Sequence, residues 1–380
     1  MIKAIVNGRV FDGEKLHSGL AVVLNGKNVH ELLPREKLPV SVAIECDLGG
    51  RILAPGLIDI QVNGGGGVMF NDAPTVDTIR RLGAAHRQFG TTGFLPTLIS
   101  SDPGTMKRAI EAVDEAIAEG VPGVLGVHLE GPFLNPVKRG IHKAERFLEL
   151  DERAIGLLTS AEHGRTLVTV APEMTGNDMI SRLAAQGVLV FGGHSAATCE
   201  EAQAALKAGM RGFTHLFNAM SPLQSREPGM VGAALHDPDS WFGIIADGHH
   251  VHPTTLAVAV AAKRKGYAML VSDAMATVGT DDGSFIFDGV EITAADGCCR
   301  LPDGTLAGSN MDMISAVRNT VRFAGVDPRE ALRMASTYPA HALGLEGELG
   351  YIKPGFRASF IELDENLNLF RTWIDGKASV

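Results

Sequence analysis

The chain has 380 residues, and its 34 lysines and arginines stand against 44 aspartates and glutamates, which gives a net charge of −10. This charge argues against a nucleic-acid or anionic-membrane binder, because such proteins present a basic surface. A hydrophobic content of 45% with 21% charged residues is typical of a globular protein and excludes wholesale disorder. No run approaches the roughly 18 apolar residues of a membrane span, and the four cysteines lack CxxC spacing. We therefore expect a soluble, cytoplasmic protein without disulfides or a thiolate zinc site.

Both ends of the chain carry a pattern of short β-strands. Residues 1–54 contain the hairpin signals Asn7-Gly8 and Asn25-Gly26 between short apolar runs, and residues 350–380 repeat this pattern. The opening run therefore predicts a strand and a hairpin and not a signal peptide. Because neither end alone could bury a core of useful size, we expect residues 1–54 and 350–380 to form one small, discontinuous β-sandwich domain.

The middle of the chain, residues 55–349, alternates apolar runs of strand length with helical patterns. Several runs are apolar on both faces, as are strands of a parallel sheet that helices cover. The predicted strands are 56–62, 93–98, 124–129, 167–171, 188–192, 212–217, 242–246 and 268–272, and examples of the predicted helices are 76–89, 104–119, 177–186 and 199–207. This α/β pattern predicts a closed (β/α)₈ TIM-like barrel. An open, doubly wound sheet is the alternative, but the GxGxxG turn typical of it is absent from the sequence.

A further β-like stretch follows the eighth predicted strand. It contains the turn signals Asp288-Gly289 and Asp303-Gly304. We expect a β-hairpin insertion in the barrel domain near residues 284–306.

Polar residues close six of the eight predicted barrel strands. They are Asp59, Gln61 and Asn63; His128 and Glu130; His194; His215 and Asn218; Asp247, His249 and His250; and Asp273. A single histidine at a strand end is more often a satisfied core group than a ligand. In a barrel, however, these ends meet on one face, and so many polar groups could not all be satisfied within a core. The pattern therefore predicts an active site.

Glu130, His194 and His215 supply one oxygen and two nitrogens from neighbouring strands. Three such ligands with an open position for water are typical of a catalytic zinc site. Asp273, after the last strand, would lie near this metal and could accept a proton from its water. The alternative roles for Asp273 are a helix cap or a fourth metal ligand.

A series of motifs then runs in order along nearly the whole chain. The motifs are Pro55–Asp59, Gln61–Gly64, His128–Phe133, Gly193–Ser195, Thr214–Met220, Arg226–Gly229, Ala246–Gly248, Ser272–Ala274 and Leu306–Ser309. Together they resemble the N-acetylglucosamine-6-phosphate deacetylase family of the amidohydrolase superfamily. The resemblance implies hydrolysis of the acetamide of N-acetyl-D-glucosamine 6-phosphate to D-glucosamine 6-phosphate and acetate.

The resemblance also implies a role for each site residue. Glu130, His194 and His215 would hold the catalytic divalent metal, with zinc as the first candidate and iron, manganese or cobalt as alternatives. Asp273 would act as general base and then general acid, and His142 would polarise the substrate carbonyl.

The phosphate group is expected to meet a separate set of donors. By resemblance these are Asn218, the backbone amide of Ala219, His250, and Arg226 from the neighbouring subunit of a homodimer. Arginine and backbone N–H groups suit phosphate oxygens. His249 and His252 remain alternatives to His250.

Gln61 and Asn63 stand where many amidohydrolases carry a His-x-His pair for a second metal. Residues two apart on a strand face the same way, so both would reach that position. Neutral amides are poor zinc ligands beside imidazole or carboxylate. We therefore interpret the pair as vestigial and expect one metal ion per subunit.

Two other classes of function remain open from the sequence. Gly193-His194-Ser195-Ala196 resembles a degenerate nucleophile elbow, which suggests a serine hydrolase using Ser195, although Ala197 replaces the final glycine. A non-catalytic sugar-phosphate-binding barrel is the other alternative, because a fold by itself does not imply activity.

Overall fold

The computed structural model describes residues 2–379, and its first elements are short strands. They are β1 (Ile2–Val6), β2 (Arg9–Phe11), β3 (Leu16–Ser18), β4 (Leu20–Asn25), β5 (Asn28–Pro34), β6 (Ala43–Asp47) and β7 (Ile52–Pro55). Asn7 and Gly26 adopt positive φ angles of 59° and 60°, as the hairpin signals predict.

A barrel of parallel strands follows. Its strands are β8 (Leu57–Val62), β11 (Thr91–Ile99), β12 (Gly126–Glu130), β13 (Arg165–Val170), β14 (Leu189–Gly192), β15 (Gly212–Phe213), β16 (Trp241–Ile244) and β17 (Ala268–Leu270). The short strands β9 (Gly64–Gly65) and β10 (Val68–Met69) follow β8 and pair with each other outside the barrel sheet. Neighbours along the sheet are parallel from β8 to β17. A parallel bridge between Val62 and Ala274 nearly closes the barrel. The predicted TIM-like barrel is thus confirmed.

Helices cover the outside of the barrel. They are α1 (Val76–Arg87), α2 (Pro103–Ala118), α3 (Glu152–Leu158), α4 (Pro172–Thr175), α5 (Asn177–Ala185), α6 (Cys199–Lys207), α7 (Gly229–His236), α8 (Pro253–Ala262), α9 (Met313–Ala324), α10 (Pro328–Met334) and α11 (Thr337–Ala342). Local chemistry sets their starts: the Asp102 side chain accepts from the Thr105 N–H ahead of α2, and Thr198 and Glu201 form a capping box on α6. Across residues 2–379 we find no helix that combines the length and the apolar character needed to span a bilayer.

The sixth barrel strand is shorter than predicted. We expected it over residues 212–217, but β15 ends at Phe213. The reason lies in the backbone, because His215 and Phe217 adopt positive φ angles of 31° and 80°, which a strand does not accommodate. The chain therefore leaves the sheet early and turns across the barrel mouth.

The insertion after the barrel is larger than the predicted hairpin. It consists of β18 (Ser284–Phe287), β19 (Val290–Ala295), β20 (Cys298–Arg300) and β21 (Leu306–Ser309), paired antiparallel in that order. A turn at Asp296-Gly297, with both residues at positive φ, adds to the two turns that the sequence predicted. The expectation of a single hairpin near 284–306 was therefore wrong, and the element is a four-stranded sheet within the described residues.

The two ends of the chain meet in one β structure. The last strands are β22 (Phe360–Leu363), β23 (Leu369–Ile374) and β24 (Lys377–Ser379). β22 pairs antiparallel with β7, so the C-terminal strands extend a sheet that begins near the N-terminus. Side chains of this sheet, such as Phe360 and Trp373, share a buried cluster with Ile5 and Val22 of the sheet β5-β4-β1-β6. This confirms that β-sheets from the termini accompany the barrel.

Candidate active site

A cavity of about 240 Å³ opens at the carboxyl ends of the barrel strands. The residues that line it include Asn63, Glu130, His142, His194, His215, Asn218, Ala219, His250 and Asp273. Leu306 and Gly308 of the inserted sheet complete the wall. Most of the residues that the sequence singled out therefore surround one cavity, which is where active sites of such barrels lie.

Glu130, His194 and His215 form a candidate metal-binding triad. Glu130 ends β12, and the two histidines follow β14 and β15. Glu130 Oε1 lies 2.8 Å from His215 Nε2 and 3.3 Å from His194 Nε2, and the two Nε2 atoms are 3.0 Å apart. All three side chains are buried.

The hydrogen bonds of the triad favour a cation. His194 Nδ1 lies 2.8 Å from the carbonyl oxygen of Lys138, which can only accept, so Nδ1 carries the proton and Nε2 presents a lone pair. Burial alone would raise the pKa of Glu130, but contacts with His194 and His215 hold this pKa well below its ordinary value. A lone pair and a carboxylate thus converge on one point, and this donor set fits a divalent metal ion.

Asp273 lies beside the triad in an unusual backbone conformation. It follows β17 with a φ of 52°, and its N–H donates to the carbonyl oxygen of Gln61 over 3.1 Å. Burial, and then the charge of Glu130, raises the pKa of Asp273 to about 6. A carboxylate with such a pKa is suited to take up and release a proton near neutral pH.

Gln61 and Asn63 hold the carboxylate of Asp273. Asn63 Nδ2 donates to Asp273 Oδ1 over 2.7 Å, and Gln61 Nε2 donates to the same oxygen over 3.0 Å. Gln61 Nε2 also lies 3.1 Å from Glu130 Oε1. The two amides therefore orient an acidic side chain and leave Asp273 Oδ2 without a contact from either of them.

His142 reaches the cavity from the segment that follows β12. Its ring centre is 4.4 Å from that of His194, and its Nδ1 is 2.7 Å from Ser100 Oγ. Burial, which disfavours the charged ring, holds the pKa of His142 well below its ordinary value. A neutral imidazole in this position can donate one hydrogen bond into the cavity.

The three histidines after β16 have different surroundings. His250 lines the cavity, and its Nδ1 lies 2.6 Å from Asp247 Oδ2. Burial alone would raise the pKa of Asp247, but hydrogen bonding to His250 lowers it. Because an ionised carboxylate can only accept, His250 Nδ1 donates to Asp247 and its Nε2 remains available. In contrast, His249 Nε2 contacts the Asp296 carbonyl oxygen over 2.7 Å, and His252 caps α8 through the Thr254 N–H.

Arg226 lies outside the cavity of this chain. It is exposed in the loop ahead of α7, and it is not among the residues that line the cavity. Asn218 and Ala219, by contrast, do line it, and Ala219 has a φ of 51°.

Ser195 lacks the surroundings of a nucleophile. It is fully buried, and its hydroxyl donates to Glu173 Oε2 over 2.6 Å. Within the described residues its other side-chain hydrogen bond comes from the Ala197 N–H, and none involves a histidine. A Ser-His hydrolase would need a histidine base at the hydroxyl and a nucleophile that substrate can reach, so the structure does not favour that alternative.

Sequence reasoning missed Ser100, which contacts His142. The second barrel strand was drawn to residue 98, whereas β11 continues to Ile99 and Ser100 follows directly. The same test of polar strand ends would have identified Ser100 if the strand had been extended by one residue. Sequence reasoning also missed that Leu306 and Gly308 of the inserted sheet line the cavity. The order of the strands in this sheet depends on the Asp296-Gly297 turn, which was not predicted.

A model of the amidohydrolase family matches residues 52–378. The chain belongs to the amidohydrolase family. The matched region contains the barrel, the inserted sheet and the strands β22 and β23, so the family assignment covers every element of the candidate site.

Two curated relatives of this amidohydrolase are similar over most of their length. A protein of Shewanella sp. (strain ANA-3) named N-acetylgalactosamine-6-phosphate deacetylase is 43% identical over 325 residues, which cover 86% of this chain and 82% of the relative. A protein of Haemophilus influenzae named N-acetylglucosamine-6-phosphate deacetylase is 34% identical over 378 residues, 98% of each chain.

A solved structure agrees with the fold of this amidohydrolase. The crystal structure of N-acetylglucosamine-6-phosphate deacetylase from Pasteurella multocida superimposes with a TM-score of 0.96 at 34% sequence identity and covers 100% of both chains. The similarity includes the split terminal β structure as well as the barrel.

Proposed function

We propose that this amidohydrolase hydrolyses the acetamide of N-acetyl-D-glucosamine 6-phosphate to D-glucosamine 6-phosphate and acetate. One observation carries the proposal: the triad Glu130, His194 and His215 shares a buried cavity with the oriented carboxylate of Asp273. The relative from Haemophilus influenzae, whose name describes this activity, supports it over the full chain.

The triad would hold one divalent cation, with zinc as the first candidate and iron, manganese or cobalt as alternatives. When bound, such an ion lowers the pKa of a coordinated water and polarises an oxygen of the substrate. His194 is prepared for this role because its Nδ1 proton is directed to the Lys138 carbonyl oxygen.

Asp273 performs the proton transfers. It accepts a proton from the attacking water, and it returns the proton to the amine nitrogen, because an amide anion is too basic to leave. Gln61 and Asn63 occupy Oδ1, so Oδ2 is the oxygen that carries the proton. His142 donates a hydrogen bond to the carbonyl oxygen and stabilises the negative charge that develops there.

The substrate phosphate is bound by local donors. Asn218, the backbone N–H of Ala219 and the free Nε2 of His250 would contact it within one chain, and the partner subunit's Arg226 would complete the site in a homodimer. The net charge of −10 makes these local groups necessary, because the overall field of the protein repels an anion. The proposal includes a cytoplasmic location, since a doubly charged sugar phosphate does not cross a bilayer.

The general-base role of Asp273 is tested with the Asp273→Asn variant. We expect kcat for acetate release from N-acetylglucosamine 6-phosphate to fall by roughly 10²–10⁴-fold, the usual contribution of general acid–base catalysis, with metal content unchanged. Asp281→Asn, at an exposed position of the loop before β18, is the matched control and should retain full activity. Unchanged activity of Asp273→Asn would contradict the mechanism.

A second candidate substrate is the epimer, N-acetyl-D-galactosamine 6-phosphate. It is favoured by the higher identity to the relative named for that activity, 43% against 34%. The chemistry and the residues are the same, so the two substrates are compared by kcat/KM on one preparation. A ratio above one for the galacto epimer would assign the chain to that substrate, and unphosphorylated N-acetylglucosamine serves as the control for the phosphate contacts.

A further inference from the structure

Ser100 and His142 form a buried pair at the edge of the cavity. Ser100 is 1% exposed and His142 is 4% exposed, and Ser100 Oγ lies 2.7 Å from His142 Nδ1. Gly131 leaves room for the hydroxyl, because a Cβ added there would lie 2.4 Å from Ser100 Oγ. The hydroxyl therefore has a fixed place beside the imidazole.

The Ser100 hydroxyl has one proton and two acceptors within reach. The other acceptor is the carbonyl oxygen of Glu130, which lies at 3.4 Å. The shorter contact is the stronger hydrogen bond, and a buried ring nitrogen without a donor would lose its solvation uncompensated. In the reverse arrangement, His142 Nδ1–H would donate to Ser100 Oγ, the hydroxyl would donate to the Glu130 carbonyl oxygen, and a neutral ring would have no proton on Nε2. Donation from Ser100 to Nδ1 along the shorter contact instead leaves the proton of a neutral imidazole on Nε2, as the role proposed for His142 requires.

The neighbouring His194 has the opposite arrangement. Its Nδ1 faces the carbonyl oxygen of Lys138 at 2.8 Å, which can only accept, so its Nε2 is free of a proton. Two histidines whose ring centres are 4.4 Å apart thus have different partners at Nδ1: a carbonyl oxygen that can only accept, and a hydroxyl that can also donate. One is prepared to bind a cation, and the other is prepared to donate a hydrogen bond.

We propose that Ser100 is a positioning residue that fixes His142 as its Nε2–H tautomer, so that Nε2–H donates to the carbonyl oxygen of the substrate. The proposal rests on the function proposed above for His142. Ser100 itself does not line the cavity, so it acts through the imidazole.

The tautomer is measured directly by ¹⁵N NMR of the zinc-loaded protein labelled at histidine. The His142 signals are assigned by their loss in His142→Gln. We expect an unprotonated Nδ1 and a protonated Nε2 in the native protein, and the same pattern in Ser100→Thr, which keeps the hydroxyl. A protonated Nδ1, in the neutral ring or in an imidazolium, would overturn the proposal. This measurement does not depend on turnover, so absence of deacetylation would refute the proposed function and leave the tautomer result intact.

Kinetics separate positioning from a structural role. Loss of a partner that orients a metal ligand costs about 10–100-fold, and we expect an effect at the lower end of this range for a histidine that only donates to substrate, so Ser100→Ala should lower kcat by about tenfold with KM and zinc content nearly unchanged. Ser101→Ala is the matched control and should keep the native kcat, because the Ser101 hydroxyl contacts the backbone carbonyl oxygen of Ile99 and the Asn71 amide, and neither contact involves His142. Equal kcat values for Ser100→Ala and the native protein would overturn the proposal.

Discussion

Asp59 is fully buried below the cavity and connects the first and last barrel strands. Its Oδ1 accepts from the N–H groups of Gln61 and Ser272 over 3.2 and 3.3 Å, and its Oδ2 accepts from the Ser272 hydroxyl. These bonds hold Ser272, which precedes Asp273, and Gln61, whose carbonyl oxygen accepts from the Asp273 N–H. Burial raises the pKa of Asp59 to about 7.

The raised pKa of Asp59 predicts a pH dependence of stability. Because the folded chain holds this proton more tightly than the unfolded chain, the free energy of unfolding should fall as pH rises from about 4 to about 7 and then level off. Asp59→Asn cannot ionise, so its stability relative to the native protein should improve over this range by up to about 4 kcal/mol. Denaturant unfolding at several pH values measures this difference. Parallel pH curves for the two proteins would contradict the prediction.

The inserted sheet β18–β21 is the element that connects the barrel mouth to the segment carrying His142. Arg146 donates to both carboxylate oxygens of Asp288 over 2.8 and 2.6 Å, and Lys143 Nζ lies 3.6 Å from the same carboxylate. Asp288 belongs to the turn between β18 and β19. This ion pair therefore links the position of His142 to the sheet.

Breaking this link should reduce catalysis more than it reduces stability. A partly exposed ion pair contributes only about 1 kcal/mol or less to stability, whereas displacement of the segment that carries His142 should lower kcat/KM of Arg146→Met by about tenfold. Arg182→Met removes a comparable bidentate pair with Glu152 on exposed helices and is the matched control. An equal loss of kcat/KM in the two variants would contradict a role of the Arg146–Asp288 pair in catalysis.

Elements whose pattern is local could be predicted from the sequence, whereas contacts between them could not. The barrel strands were visible as apolar runs, and the triad was found because carboxyl ends of parallel strands meet on one face. The contacts of Gln61 and Asn63 with Asp273 could not be predicted, because their amide hydrogens meet a residue more than 200 positions away. The early end of β15 could not be predicted either, because it depends on positive φ angles at His215 and Phe217, and neither residue type requires such an angle.

At the scale of the whole molecule, the N-terminal and C-terminal parts of the chain are joined in one sheet through the pairing of β7, β22 and β23. Trp373 is fully buried in the terminal core, whereas Phe370 on the same strand is 49% exposed. Trp373→Ala should therefore destabilise the protein by about 3–5 kcal/mol, and Phe370→Ala should have a much smaller effect. Thermal unfolding of both variants measures this, and equal losses would contradict the assigned core.

The central claim is that one divalent ion, held by Glu130, His194 and His215, is required for deacetylation. The direct measurement is removal of metal by a chelator, followed by titration with Zn²⁺ while acetate release is followed. Activity should be lost and should return linearly up to one equivalent per chain, whereas Glu130→Gln should not recover and the exposed-site control His236→Gln should. Full activity of the metal-free protein, or a requirement for two equivalents, would contradict the account.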